Sequence, residues 1–399
     1  MLIRNQFHTT YCTNIHPGQD WATTFAALER HLGEVKEAVA PEGDFGLGLR
    51  LSDRASRELG EGDRLTAFKK WLDERHIYVF TMNGFPFGNF HGERVKDEVH
   101  RPDWTTPERL AYTLRLFRQL NVLLPPGQEG GISTSPVSYR YWHTTASERR
   151  QALETGARQM AEVALALVLA ERQTGAYMHL DIEPEPDGLL ENTQDVLDFF
   201  ANYLLPEGIP ILTHRLSVNQ ATARELLLRH ITVCYDICHF ALAFEEPDWA
   251  IGQMERAGIR IGKVQVSAAL RIRPGRQGRD AVLDVLTDFD EPVYLHQVTA
   301  RSGSGVRTWP DLPELFRDPP EFEELRAHFH VPVFTESYGL LEATQPEIIQ
   351  VLDYLKAHPV CKHLEVETYT WDVLPQGLKQ GLAGDIAREL NWLKTQLES

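Results

Sequence analysis

Three short stretches of the chain place acidic or histidine side chains at the end of an apolar, β-prone run. They are His179–Pro186, Tyr235–Phe240 and His363–Trp371. Side chains alternate between the faces of a strand, so Glu183 and Glu185 share one face, as do Glu365 and Glu367. On the outside of a sheet these groups would be solvated charges. At the mouth of a parallel barrel they would converge on a small volume and require a cation. We take the second interpretation, which predicts a metal site.

The elements that would position these residues alternate between strand and helix along the chain. The predicted strands are Thr9–Ile15, Phe45–Leu51, Ile77–Asn83, Gly131–Val137, Tyr177–Ile182, Ile231–Ile237, Ile261–Val266, Val293–Val298, Val331–Phe334 and His363–Thr368. Helical patterns lie between most of them, which implies parallel strands with crossover helices. Over 399 residues, this pattern favours a (β/α)₈ barrel, the TIM-barrel class of α/β fold. An open sheet is disfavoured because Gly46 and Gly48 lack the third glycine of a dinucleotide-binding motif.

We expect one domain over residues 1–399, with an irregular insertion late in the chain. The stretch Arg271–Pro320 is rich in Arg, Gly, Pro and Asp, and it surrounds a strand that exceeds the eight of a barrel. We therefore predict an inserted loop or hairpin near the barrel mouth over residues 271–334. Six arginines there form either a solvated loop or a clamp for an anionic substrate. They are Arg271, Arg273, Arg276, Arg279, Arg301 and Arg307.

The composition limits the partners of the protein. The formal net charge of −17 argues against nucleic acid or an anionic membrane as the main partner. The N-terminal residues lack the apolar core of a secretory signal, and the apolar helical run Ala161–Ala170 is too short to span a bilayer. The four cysteines are too few for a disulfide scaffold, so we expect reduced thiols in a cytoplasmic protein. The expected partner is a small polar metabolite, which could be anionic; the sequence does not settle the oligomeric state.

Active sites of such barrels lie at the carboxyl ends of the strands. The residues predicted there are rich in oxygen donors and contain few imidazoles, a set that suits Mg²⁺, Mn²⁺ or Zn²⁺ and does not resemble structural zinc. Beside the acidic residues, His16 follows the first strand, and Gln265 lies near the end of the seventh. We predict that His16 and Glu185 contact a substrate.

The chain resembles the metabolite-traffic protein EboE family, within the wider xylose-isomerase-like barrels of sugar epimerases, hydroxypyruvate isomerase and endonuclease-IV-type enzymes. The residues that carry the resemblance to EboE run from the first strand to the last. They are Tyr11–Gly18, Leu180–Pro186, Cys234–Phe240 and His363–Trp371. The match to the wider superfamily rests on fewer residues.

The superfamily resemblance implies a divalent metal held by Glu, Asp, His and Glu after strands five to eight. Glu183, Asp236 and Glu367 match three of these positions. Gln265 stands where the His is usual, and His296 would supply the imidazole if the strand count shifts by one.

The same resemblance implies the roles of the neighbouring side chains. His239, three residues after Asp236, matches a position that binds substrate or a second metal. Glu183 and Glu367 would act as metal ligands and also as the acid and base of catalysis.

These features lead to two functional hypotheses. The first is a metal-dependent isomerase or epimerase acting on a sugar, cyclitol or related polyol or its phosphate, in synthesis or export of a secondary metabolite. The second is a barrel that binds a metabolite without turning it over, which the absent strand-seven His favours. Phosphoester hydrolysis at a multi-metal site is a third option. We disfavour it because few histidines lie at strand ends and because the net charge is unsuited to DNA.

Overall fold

Parallel strands form a nearly closed barrel, and a second, antiparallel sheet lies beside it. The computed structural model describes residues 1–88, 96–276, 278–290, 295–303, 305–371 and 379–399. The strands of these residues are β1 (Leu2–Ile3), β2 (Phe7–Tyr11), β3 (Phe45–Arg50), β4 (Ile77–Asn83), β5 (Gly130–Thr134), β6 (Met178–Ile182), β7 (Ile231–Asp236), β8 (Ile261–Val266), β9 (Ala268–Ile272), β10 (Val298–Ser302), β11 (Gly305–Trp309), β12 (Glu324–Val331), β13 (Ser337–Tyr338), β14 (Leu341–Ala343) and β15 (His363–Val366).

The barrel sheet follows the order β1-β2-β15-β8-β7-β6-β5-β4-β3. All its pairs are parallel except the short β1–β2 pair. The two ends meet where Cys12 and Gly48 form a parallel bridge and the Gly48 N–H donates to Thr10 Oγ1 over 2.9 Å. The predicted (β/α)₈ class is therefore confirmed, because eight parallel strands are arranged around one core.

Helices pack around the barrel and beside the second sheet. In the described ranges they are α1 (Trp21–Val39), α2 (Asp53–Leu59), α3 (Arg64–Asp73), α4 (Pro107–Leu123), α5 (Ala146–Thr174), α6 (Thr193–Phe199), α7 (Leu205–Leu216), α8 (Gln220–His230), α9 (Ile237–Leu242), α10 (Pro247–Arg256), α11 (Arg279–Thr287), α12 (Leu312–Arg317), α13 (Gln345–Ala357) and α14 (Leu382–Glu398). Local signals fix several helix starts. Asp20 caps α1 by accepting from the Thr23 N–H, and Thr145 and Glu148 form a capping box at α5.

The second sheet is built from chain that follows β8, in the order β11-β10-β12-β9-β14-β13. All its pairs are antiparallel. Its strands β10, β11 and β12 and the end of β9 lie in the stretch for which we predicted a loop or hairpin, 271–334; that division of the chain stays a prediction. The predicted strand Val293–Val298 begins in residues outside the described ranges, and β10 starts at Val298.

The arginines of this stretch pair with acidic residues of the same region. Arg271 lies 2.9 Å from Glu342, and Arg273 lies 2.8 Å from Glu324. Arg279 and Glu321 form an exposed pair at 2.6 Å. These contacts link the second sheet to the elements next to it; the clamp for an anionic substrate stays a prediction.

All four cysteines are buried and free. In the part of the chain that the structure describes, none of the helices combines the length and apolar character needed to cross a membrane.

Candidate metal centre

Three carboxylates from distant parts of the chain meet at the carboxyl ends of the barrel strands. Glu183 follows β6, Asp236 ends β7 and Glu367 follows β15. One oxygen of each lies within 4.8 Å of the others, and all three residues are buried. The structure thus brings these predicted ligands together; that they bind a metal stays a prediction.

The backbone and neighbouring side chains hold Asp236 in place. Its Oδ1 accepts hydrogen bonds from Ser267 Oγ at 2.7 Å and from the His239 N–H at 3.1 Å, because Asp236 is the N-cap of α9. Its Oδ2 is buried and makes no hydrogen bond. That oxygen remains available for a ligand.

Glu367 is oriented by two amides that the sequence analysis did not assign. Its Oε1 accepts from Asn14 Nδ2 at 2.5 Å and from Asn83 Nδ2 at 3.3 Å. Asn14 follows β2 and Asn83 ends β4, so both amides come from the predicted strand-end positions. They donate to one oxygen of the carboxyl group and leave its other oxygen outside these bonds.

Burial and crowding of like charges make this cluster electrostatically unfavourable without a cation. Burial raises the pKa of Glu183 well above its usual range, and the charges of Glu367 and Asp236 raise it further. Burial, with the charge of Asp236, raises the pKa of Glu367 to about 8. A divalent ion would offset both effects, since it supplies charge and ligand bonds together. The buried, unbonded Glu183 Oε2 and Asp236 Oδ2 fit such an ion.

A buried ion pair occupies the inward face of the neighbouring strands. Lys263 of β8 pairs with Glu365 of β15, and neither side chain is exposed. The positive charge of Lys263 opposes the rise in pKa of both Glu183 and Glu367. Because Glu365 is paired with Lys263, the carboxylate that reaches the cluster from this part of the chain is Glu367, just after β15.

Gln265 lies in the strand layer next to Asp236. In the parallel ladders it is in register with Asp236 on one side and Glu365 on the other. It is buried, and neither polar atom of its amide has a hydrogen-bond partner. This environment suits a weak oxygen ligand, so its predicted role is compatible with its position and stays a prediction.

His296 lies apart from the carboxylates. Its ring stacks on Phe329 at 4.2 Å between centroids, and its Nδ1 lies 3.8 Å from Asp311 Oδ1. Among the described residues, it belongs to none of the groups whose ligand atoms are close enough to share an ion. The structure therefore does not bring His296 to the predicted centre.

Of the two residues predicted to contact a substrate, His16 and Glu185, the structure brings only Glu185 to the site. His16 Nε2 is 2.9 Å from the Tyr11 hydroxyl, and its ring stacks on His31, so Asn14 is the residue of that loop that reaches the cluster. Glu185 does line the cavity at the site. Burial and the charge of Asp236 raise the pKa of Glu185 well above its usual range.

Two histidines that we did not predict join His239 at the site. His328 and His330 lie on β12 of the second sheet, and both are buried. His239 Nε2 is 3.2 Å from His328 Nε2, which is 3.3 Å from His330 Nε2. The signal was present as His-Phe-His, because alternate residues of a strand share a face. Our count of histidines near the strand ends was therefore too low.

A cavity of about 50 Å³ opens onto these groups. Its lining residues are Asn14, Asn83, Phe85, Pro86, Val99, Glu183, Glu185, His239, His328, His330, Glu367 and Tyr369. This volume has room for an ion with ordered water molecules, since about 10–15 Å³ of water-accessible space holds one water. A second cavity of about 220 Å³ also borders His239.

The chain has the TIM-barrel fold, and the solved structures it is similar to include xylose isomerase-like TIM barrels. The chain is similar to a xylose isomerase-like TIM barrel protein from Mycobacterium smegmatis, solved in complex with magnesium, with a TM-score of 0.51 and 9% identity, over 100% of this chain and 98% of that one. It is also similar to a D-tagatose 3-epimerase-like protein (TM-score 0.48, 11% identity, 98% and 97% covered). A third similar structure is the IOLI protein with a zinc atom, with a TM-score of 0.46 and 10% identity, over 98% of this chain and 98% of that one.

At 9% identity, the similarity to the Mycobacterium smegmatis protein shows the fold alone. No family model matches the chain, and no curated protein matches it in sequence. The resemblance to EboE accordingly stays a prediction.

Proposed function

We propose that this protein is a metal-dependent isomerase or epimerase that acts on a sugar, cyclitol or related polyol, or on its phosphate. The observation that carries the proposal is the meeting of Glu183, Asp236 and Glu367 at the carboxyl ends of the barrel strands. Three buried carboxylates with unbonded oxygens form an oxygen-donor set of the kind that holds Mg²⁺ or Mn²⁺. Zn²⁺ accepts the same donors.

Glu183, Asp236 and Glu367 would hold the ion, with Gln265 as a further oxygen donor beside Asp236. A bound divalent ion would polarise the oxygens of a hydroxycarbonyl substrate and stabilise the negative charge that develops there. That chemistry acidifies the adjacent C–H bond, which is the bond that isomerisation and epimerisation must break.

The proton itself is moved by carboxylates of this chain. A general base works best when its pKa lies near the working pH; burial raises the pKa values of Glu183 and Glu367, and the bound ion would lower them again. One carboxylate would remove the proton from carbon and the other would return one, on the same or the opposite face. Glu185 and His239, which line the cavity, would orient the substrate.

The sequence resemblance to EboE supports the finer part of the proposal. On that basis we place the reaction in the synthesis or export of a secondary metabolite. The rival hypothesis, a barrel that binds the same metabolite without converting it, predicts binding without any exchange of protons at carbon.

Hydrogen exchange at carbon separates the two hypotheses. The protein, loaded with Mn²⁺, Mg²⁺ or Zn²⁺, is incubated in heavy water with a panel of sugars, cyclitols, hydroxyketones and their phosphates. We expect deuterium to enter the carbon next to the carbonyl of at least one compound, as measured by NMR. Glu183→Gln and Glu367→Gln should abolish this incorporation, while Glu246→Gln, which removes an exposed charge, should retain it.

Two outcomes of this experiment would contradict the proposal. If a compound of the panel binds by calorimetry and yet no deuterium enters its carbon, the protein is a binding protein and the isomerase proposal is wrong. Incorporation that survives both Glu183→Gln and Glu367→Gln would show that these carboxylates do not carry the reaction.

A further inference from the structure

A cavity of about 420 Å³ opens at the amino-terminal end of the barrel, opposite the candidate metal centre. Its walls come from residues that precede or begin the parallel strands, such as Glu129 before β5, His179 near the start of β6 and Arg260 before β8. Its volume lies in the range of about 300–1,000 Å³ that is usual for small-molecule sites. The mechanism proposed above uses none of these residues.

A buried histidine–aspartate pair lies at the wall of this cavity. His179 lines the cavity, and its Nδ1 atom lies 2.5 Å from Asp181 Oδ1, which also accepts a hydrogen bond from the Thr232 hydroxyl. An ionised carboxylate only accepts, so Nδ1 of His179 carries the ring proton. In the part of the chain that the structure describes, this is the hydrogen bond of the ring, and Nε2 on its opposite side remains for a ligand.

Two glycines make room for the pair inside the barrel. A Cβ atom at Gly262 would lie 2.1 Å from Asp181 Oδ1 and 2.6 Å from His179 Nδ1. A Cβ atom at Gly131 would lie 2.4 Å from Asp181 Oδ2 and 2.4 Å from His179 Cε1. Branched aliphatic side chains usually fill the interior of such barrels, and a buried ion pair is a poor source of stability. Packing alone therefore does not favour this pair, which points to a role in binding.

The cavity brings cationic groups together in an acidic protein. Burial lowers the pKa of His179, but the charge of Asp181 and the hydrogen bond to it outweigh burial, so that the pKa is raised. The charge of Arg260 acts on the same ring and opposes this rise. Lys362 also lines the cavity, and its side chain is 54% exposed. Like charges around one small cavity repel, and an anionic group between them offsets that repulsion.

The acidic residues of the wall restrict the type of anion. Glu129 and Glu255 line the cavity as well. Glu129 lies 3.6 Å from Lys362 Nζ, and Glu255 accepts a hydrogen bond from the Tyr354 hydroxyl at 2.6 Å. Carboxylates with oxygens facing a cavity accept hydrogen bonds from hydroxyl groups. The lining thus suits an anion that also carries hydroxyl groups better than it suits a bare inorganic anion.

We propose that this cavity is a second small-molecule site, which binds a hydroxylated organic anion of the sugar acid or sugar phosphate class through His179, Arg260 and Lys362. Glu129 would accept hydrogen bonds from the hydroxyl groups of the ligand. The inference goes beyond the proposed function and does not depend on it, because the cavity and the three clustered carboxylates lie at opposite ends of the barrel.

Calorimetry on the full chain, stripped of metal, tests the proposal. The probes are D-gluconate, D-glucose 6-phosphate and neutral D-glucose, which distinguish a carboxylate from a phosphate and both from the uncharged sugar. We expect at least one of the two anions to bind at one site per chain. D-glucose should bind at least about tenfold more weakly, because hydrogen bonds to a charged group are the stronger ones.

Variants of the exposed cations locate the binding. Arg260→Gln and Lys362→Gln should each weaken binding of the anion by about tenfold, the loss expected for one hydrogen bond to a charged group. The matched control is Arg256→Gln, which removes the same charge from an exposed position outside the lining. At 0.15 M salt it should change the affinity by less than about twofold, because salt screens exposed charges beyond the site.

The role of His179 has its own measurement. In protein labelled with ¹⁵N-histidine, addition of the binding anion should move the ring resonance of one histidine, and D-glucose should leave it in place. His179→Gln, which keeps an amide donor toward Asp181, should lack that resonance and bind the anion most weakly. If this variant does not fold, the resonance of the wild type and the two exposed variants still decide the matter.

The failures can be told apart from failure of the proposed function. Absence of anion binding, equal binding of D-glucose, or equal losses in Arg256→Gln and Arg260→Gln would overturn the second site. Binding that Glu183→Gln removes and Arg260→Gln retains would place the anion at the carboxylates, so that the second site falls and the proposed function stands. Binding that Arg260→Gln weakens and Glu183→Gln retains supports the second site, even in a protein that exchanges no hydrogen at carbon.

Discussion

Glu367 is a carboxylate whose protonation couples the candidate centre to the stability of the fold. Burial beside other acids raises its pKa from an ordinary 4.5 to about 8. The folded protein therefore binds a proton at Glu367 at pH values where the unfolded chain has already released it. Stability from this group is fully present below pH 4.5 and is lost as the pH rises toward 8.

We predict that the free energy of unfolding of the metal-free protein falls between pH 5 and pH 8. Each unit of difference in pKa is worth about 1.4 kcal/mol, so the fall amounts to several kcal/mol. Glu367→Gln should flatten the slope. It should not remove the slope, because burial also raises the pKa of Glu389 to about 8. Urea unfolding in chelator at several pH values measures the effect, and an unchanged slope in Glu367→Gln would show that Glu367 is ionised in the folded protein.

At the residue scale, the sequence predicts the carboxylates better than the imidazoles. Glu183, Asp236 and Glu367 each end an apolar, β-prone run, and barrel topology brings such ends together. His328 and His330 also share a strand face, but their strand lies outside the barrel. No periodicity in the sequence says that an added sheet will reach the barrel mouth, so their position depends on tertiary packing.

At the scale of elements, the barrel closes at a seam where Gly48 permits a close approach. A Cβ atom at this position would lie 1.7 Å from Glu365 Oε1 and 2.8 Å from the Tyr11 carbonyl oxygen. Glu365 is buried and paired with Lys263, and the Tyr11 oxygen is backbone. Neither group can move away without disturbing β2 or the ion pair.

We expect Gly48→Ala to destabilise the protein by about 1–3 kcal/mol or more, the usual cost of overpacking a core. Gly33→Ala is the matched control, because a Cβ at this exposed position of α1 meets nothing within 4 Å. It should be neutral or stabilise by up to about 1 kcal/mol through helix propensity. Thermal and urea unfolding measure both, and a Gly48→Ala variant as stable as the wild type would contradict the described seam.

The strands of the barrel can be predicted from the sequence, whereas the strands of the second sheet cannot. Ile77–Asn83 and Ile261–Val266 are strands with the predicted bounds, because continuous apolar runs between turn residues mark buried parallel strands. The strands β9 and β10 carry Arg271 and Arg301, two of the arginines that made the region look irregular. Ion pairs such as Arg326 with Glu324, at 2.6 Å, accommodate such charges within the sheet.

At the scale of the whole molecule, the two sheets contribute different chemistry to one cavity. The barrel supplies oxygen donors through Glu183, Asp236 and Glu367, and the second sheet supplies nitrogen donors through His328 and His330. The net charge of −17 also favours accumulation of cations near the protein. The proposed function therefore depends on a divalent ion among the three barrel carboxylates, whatever the substrate is.

Anomalous diffraction from crystals of the full chain soaked in Mn²⁺ tests that claim most directly. We predict a strong anomalous peak within bonding distance of Glu183, Asp236 and Glu367, and its loss in crystals of Glu183→Gln. A well-ordered wild-type site with no anomalous peak among these three carboxylates, at saturating Mn²⁺, would contradict the account.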